Sequence, residues 1–169
     1  MKALLNYVST EVPVLNKPFT VVDSKGSVWT IASDRVWFVA VKGKNHGPRF
    51  QGVGSSLGAI LHLLRLEPEE PVAIDRDDVL QRLDPDGLGS VLGVVVSRKR
   101  LHDLLTFPMR SVRAWNASRA LGAPSLGFVG EGVVAYLMGF GNVVDEVPEF
   151  SIVPAERSLF DEIMSLDEQ

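Results

Sequence analysis

Among the residues whose types can do chemistry, the carboxylates stand closest together. Asp75, Asp77 and Asp78 fall within four positions, and Asp84 and Asp86 flank a proline. Paired carboxylates can hold magnesium or share acid–base work. Here Asp75 is placed to cap a helix, with Asp77 and Asp78 in its first turn, where the helix dipole favours anions. The histidines are His46, His62 and His102, and none has the H-x-x-x-H or H-E-x-x-H spacing of a metal site. There is no cysteine, which excludes thiolate nucleophiles, thiolate metal sites and disulfides. The glycine-rich stretch around Gly47, Gly52 and Gly54 lacks the lysine and hydroxyl of a phosphate-binding P-loop. Trp29, Trp37 and Trp115 lie in strand-like runs, where core packing is the ordinary fate and base stacking the special one. No catalytic signature emerges, so neither an enzyme nor a cofactor is expected.

What remains is charge. The net charge is −4, but it is unevenly placed. Asp145 to Gln169 holds eight acids and one base, Arg157; Glu67 to Asp86 holds eight more acids against Arg76 and Arg82. Arg98 to Arg119 holds six bases and one acid, Asp103, and the loop Lys42 to Ser56 carries Lys42, Lys44 and Arg49 with no acid. A locally basic face on an acidic protein suits loose contact with a polyanion. Arg98, Lys99, Arg100 and His102, with Lys42, Lys44 and Arg49, are the candidate contacts.

The elements that must position these groups follow from periodicity. A helix is expected over Lys2–Val12, with Leu4, Leu5, Val8 and Val12 on one face and Pro13 ending it. Phe19–Val22, Val28–Ala32 and Val36–Val41 read as an antiparallel meander joined by Asp-Ser-Lys-Gly and Ser-Asp-Arg turns. Leu57–Leu66 reads as a helix, Val72–Ile74 as a strand, and Asp75 caps a short helix to Leu83. Val91–Val96 reads as one buried strand, followed by a Ser97-capped helix from Arg98 to Phe107 that buries Leu101, Leu104 and Leu105. Strands are expected at Val112–Asn116, Leu126–Val129 and Val133–Phe140. The acidic tail reads as a helix from about Glu156 to Leu166, with Leu159, Phe160, Ile163 and Met164 on one side.

A shift of 98 residues lays Ser27–Gly43 on Ser125–Gly141 with matching apolar positions, Val28 on Leu126, Ile31 on Val129 and Phe38 on Tyr136. The expected architecture is therefore α+β, with a domain over residues 1–144 built of two duplicated helix-plus-antiparallel-meander units, about 1–66 and 67–144. Helices are expected on one face of the sheet. Residues 145–169 form an acidic tail.

The second unit resembles the repeating unit of the bacterial DNA polymerase sliding clamp. In that family a strand leads into a short Leu-x-x-x-Leu helix, then a strand, a hairpin and a last strand ending in Met-Pro. The counterparts are Val91–Val96, Arg98–Phe107 and Val133–Phe140, with Met138 at the methionine and Gly139 where the family has proline. VAIDRDDVLQRL, residues 72–83, is similar to another such start. The tail stretch Glu156-Arg157-Ser158-Leu159-Phe160 is similar to the Gln-Leu-Ser-Leu-Phe peptide of clamp partners, matching at Ser158, Leu159 and Phe160.

The resemblance implies a clamp-like fold with helices toward DNA and non-specific phosphate contacts. A clamp subunit has three domains and this chain has room for about one, so a ring would require further copies. The expectation is a cytoplasmic, non-enzymatic accessory protein of DNA replication or repair. It would bind DNA backbone and associate with its own copies or a replication protein. The alternative is a small adaptor or regulator that binds a partner through Leu159, Phe160, Ile163 and Met164. If that stripe packs on its own domain instead, it is buried. No membrane span is present in the sequence.

Overall fold

The computed structural model describes residues 2–8, 17–43, 48–50, 54–141 and 146–152. A 3₁₀ helix, Lys2–Tyr7, opens the chain. Strands β1 (Phe19–Val22), β2 (Val28–Ser33) and β3 (Trp37–Lys42) follow as a meander. Then come α1 (Gly54–Arg65), β4 (Val72–Ala73), α2 (Arg76–Arg82), β5 (Leu88–Val91), β6 (Val94–Ser97) and α3 (Arg98–Leu105). The last elements are β7 (Arg113–Asn116), α4 (Ser118–Leu121), β8 (Ser125–Gly130) and β9 (Val133–Met138). The large sheet has order β1-β2-β3-β9-β8-β7-β4, and its strand pairs are antiparallel. Mixed helix and antiparallel sheet is thus the class, as read from the sequence, and strands from both halves of the chain share one sheet.

Local chemistry explains the boundaries. The Asp75 side chain accepts from Asp78 N at 3.2 Å and starts α2; the Ser97 hydroxyl accepts from Arg100 N at 3.3 Å and starts α3. At the β1–β2 turn, Asp23 Oδ1 accepts from the backbone of Lys25 and Ser27, both at 2.9 Å, and Oδ2 from Trp29 Nε1 at 3.0 Å. The indole bond, then the two backbone donors, hold the Asp23 carboxyl below the ordinary aspartate range. A depressed carboxyl contributes stability above its unfolded pKa of about 4 and loses it as pH falls through the folded value. Asp23→Asn is therefore expected to flatten the acid side of the melting-temperature profile below about pH 4. An acid limb identical to wild type would remove Asp23 from this account.

Two expectations are corrected. Val91–Val96 is not one strand but the hairpin β5–β6, turning at Leu92 and Gly93 with φ of 50° and 81°. Both turn residues are left-handed, as a tight two-residue hairpin demands. Leucine tolerates this because its carbonyl accepts from Asn116 Nδ2 at 2.9 Å and its side chain packs on the core. Helices also cover both faces of the sheet, not one. Leu4 and Tyr7, α2 through Val79, and α3 through Leu101, Leu104 and Leu105 pack on one face with Val39, Ala135, Leu137 and Phe128. On the other, α1 and α4 rest on Phe19, Trp29, Ile31, Phe38, Trp115 and Tyr136. The cause lies in the strands: WFVAV and VVAYLM are apolar at successive positions, so each face needs cover.

Register relates the two meanders. Trp29 pairs with Lys42 in the first and Ser125 with Met138 in the second; Phe19 pairs with Ile31, and Trp115 with Gly127. A shift of 96 residues carries each first pair onto the second. The meanders meet where β3 pairs with β9, and Val39 faces Ala135, its own counterpart under that shift. Among the described residues no helix is long and apolar enough to cross a membrane.

Candidate nucleic-acid interface

The basic cluster at the start of α3 sits where the helix dipole is positive. Its first turn holds Arg98, Lys99 and Arg100 and no acid. Cations are disfavoured there, and an approaching anion is favoured twice, by the side chains and by the dipole. The three side chains do not act alike. Arg98 Nε donates to Leu88 O at 3.2 Å, and its aliphatic stem lies over Gly89, where an added Cβ would be 3.2 Å from Arg98 Cγ. Arg98 therefore braces β5 against α3. Lys99 is well exposed, its side chain 74% accessible, with Nζ 3.2 Å from Asp103 Oδ2 one turn on. His102 is half-exposed, with Nδ1 3.8 Å from Asp103 Oδ1.

Arg100 and Lys99 line an open groove of about 450 Å³ with Asp34 and Arg35 from the β2–β3 turn, Trp37 at the start of β3 and Asp103 from α3. The sequence did not place Asp34 and Arg35 here; more than sixty positions separate them from α3, and no local pattern joins the two. A strut holds the walls in place. Tyr7 donates its hydroxyl to Asp103 O at 2.6 Å, and Trp37 Nε1 donates to Tyr7 O at 3.1 Å. The Tyr7 ring meets Trp37 and Phe107 edge-on, with centroids 5.2 and 5.6 Å away. Burial, then the nearby Asp103 carboxylate, raises the Tyr7 phenol above its ordinary pKa, so it stays a neutral donor. Arg76 Nη1 donates to Leu105 O at 2.9 Å and closes the other end of α3.

The remaining sequence-predicted contacts lie elsewhere. Lys42 Nζ sits 6.0 Å from the centroid of the Trp29 ring, on the opposite face of the sheet. It is five positions along β3 from Trp37, about 17 Å. Arg49 belongs to a short segment beside β1, where Thr20 N donates to Pro48 O and Phe50 N to Thr20 O, each at 2.9 Å. Lys44 and His46 lie outside the described residues, as do Leu159, Phe160, Ile163 and Met164.

Trp29 and Trp115 are buried, 7% and 1% exposed, and Trp37 is half-buried with its indole N–H engaged, so none is a platform for bases. Asp78 pairs with Arg82 at 3.0 Å, and Asp84 Oδ1 accepts from Asp86 N at 3.2 Å, which accounts for these acids structurally. Among the described residues no group of three or more histidines and carboxylates is arranged to hold a metal ion. A second open groove, about 800 Å³, lies between Glu69, Glu70, Leu92, Asn116, Ser118 and Arg119, with two acids to one base where the first has three bases to two acids. No protein-family model matches the chain, and no curated protein matches it.

Proposed function

We propose that this chain is a non-enzymatic accessory protein of DNA replication or repair that holds duplex phosphates against the start of α3. The observation that carries the reading is an open groove beside a helix N-terminus in which three bases, Arg35, Lys99 and Arg100, outnumber two acids, Asp34 and Asp103. The contact is to backbone alone, because Trp29 and Trp115 are buried and Trp37, half-buried at the groove, spends its indole N–H on Tyr7 O. The paired meanders, with Tyr7 and α3 adjacent on one sheet face, support a duplicated, clamp-like architecture. Cover of the other face by α1 and α4 departs from the clamp plan of an outward-facing sheet.

The test is duplex retention as a function of salt. With three phosphate contacts the affinity is expected to fall about 40-fold between 50 and 200 mM salt. Arg35→Glu, Lys99→Glu and Arg100→Glu together abolish retention with an unchanged far-ultraviolet spectrum. Arg98 is left intact because it braces the fold. Lys42→Glu with Arg49→Glu changes affinity by no more than about twofold, since those residues lie away from the groove. Wild-type protein that binds no duplex even at low salt refutes the proposal.

A further inference from the structure

The groove beside α3 holds one group that phosphate does not account for. Of its two carboxylates, Asp103 is served in place: Lys99 Nζ stands 3.2 Å from Oδ2 and His102 Nδ1 3.8 Å from Oδ1. Asp34 is not. It is half-buried, its Oδ1 accepts from Arg35 N at 2.6 Å, and among the described residues its Oδ2 has no partner. The carboxylate is also held. Asp34 N donates to Trp37 O at 2.9 Å, Ser33 Oγ donates to the same carbonyl at 3.1 Å, and Trp37 Nε1 donates to Tyr7 O at 3.1 Å. The β2–β3 turn therefore presents an acceptor at a set place beside Arg35, Lys99 and Arg100.

An acceptor needs a donor. The backbone of DNA offers none: its phosphate and deoxyribose oxygens all accept, and a carboxylate placed among them is repelled. The ribose 2′-hydroxyl is a donor, and it is the group by which a protein tells RNA from DNA. Given to a carboxylate, it makes a charge-assisted bond, shorter and stronger than a neutral one. We propose that the groove selects a ribonucleotide strand, with Arg35, Lys99 and Arg100 holding phosphates and Asp34 Oδ2 accepting from a 2′-hydroxyl. The proposal rests on the reading of this groove as a phosphate-backbone site. It makes an RNA–DNA hybrid a better ligand than an all-DNA duplex of the same sequence.

The test uses two hybrid duplexes of one sequence, a DNA strand paired either with RNA or with its 2′-fluoro counterpart. Fluorine keeps the sugar pucker and the A-like shape of the duplex but cannot donate, so the hydroxyl alone varies. The full chain is expected to bind the RNA hybrid at least about fivefold more tightly, and Asp34→Ala to bring the two affinities within about twofold of each other. Asp34→Ala also tightens binding of the all-DNA duplex, because a like charge is gone. Equal wild-type affinities for the two hybrids overturn the proposal alone and leave a plain phosphate site. A preference that survives Asp34→Ala, or an all-DNA affinity that falls with it, overturns it too. Binding of neither hybrid overturns it together with the reading on which it rests. The wild-type comparison needs no substitution, so it decides the matter even if the altered turn folds poorly.

Discussion

Gly127→Ala is expected to lower the melting temperature by at least about 6 °C, from a loss of about 3 kcal/mol or more. Gly127 lies in β8 opposite Trp115 of β7, and the indole lies across it. A Cβ added there would collide with Trp115 Nε1, lying 2.6 Å from Cε2 and 2.9 Å from Cδ1. Neither partner has room to yield: Trp115 is 1% exposed and packs edge-on to Tyr136, with centroids 6.2 Å apart. The backbone also resists, because Gly127 sits in a strand paired on both edges. A double-mutant cycle separates this collision from general strand damage. Trp115→Leu removes the obstructing ring and destabilises on its own through the lost volume. Combined with Gly127→Ala, it should recover at least about 1 kcal/mol relative to additivity. A Gly127→Ala chain melting within about 2 °C of wild type would show that the indole has another place to go.

Gly139→Pro is expected to destabilise by about 4 kcal/mol or more. The first loss is a bond: Gly139 N donates to Pro124 O at 2.8 Å, and proline has no such donor. The second is space. A Cβ at this position would lie 2.6 Å from Val94 Cγ1 and 2.7 Å from Val95 O. That carbonyl accepts from Phe140 N at 2.8 Å, so it cannot retreat without breaking the next contact. Here the chain leaves β9 and crosses to the β5–β6 hairpin, and glycine is what permits the close approach. Gly139→Ala keeps the donor and isolates the steric part, expected at about 1–3 kcal/mol. Denaturant melts of the two variants give the division. A proline variant as stable as wild type would mean that the crossing at Gly139 is loose.

The elements decided by neighbouring residues were legible. Ser97 and Asp75 cap the helices expected of them because a side-chain oxygen needs only the N–H groups two or three positions on. The Asp23 turn and the strands of the two meanders were legible for the same reason. VLGVVV reads as one strand because an apolar run has the same pattern whether or not it reverses. What reverses it is left-handed backbone at Leu92 and Gly93, and leucine is a residue type that rarely signals a turn. The repeat was visible at 98 residues, whereas the strands pair with an offset of 96. Any even offset keeps side chains on the same faces, so an apolar alignment cannot tell the two apart; only the hydrogen-bond ladder can.

The candidate site divides along the same line. The sequence by itself determined that cations cluster at the start of α3, that Leu101, Leu104 and Leu105 turn inward, and that Lys99 can reach Asp103 one turn away. These are properties of a helix with 3.6 residues per turn, which local sequence specifies. The tertiary structure alone decided which cations share a surface. Strand order brings Arg35 beside Arg100, folds Arg98 back onto Leu88 O, and leaves Lys42 on the opposite face of the sheet from α3. It also placed α1 on the second face, where aromatic residues from five strands meet. Such partners are tens of residues apart, and their meeting depends on which strands pair and in what register. That choice is made by the burial of two whole sheet faces at once, a quantity no short window of sequence contains.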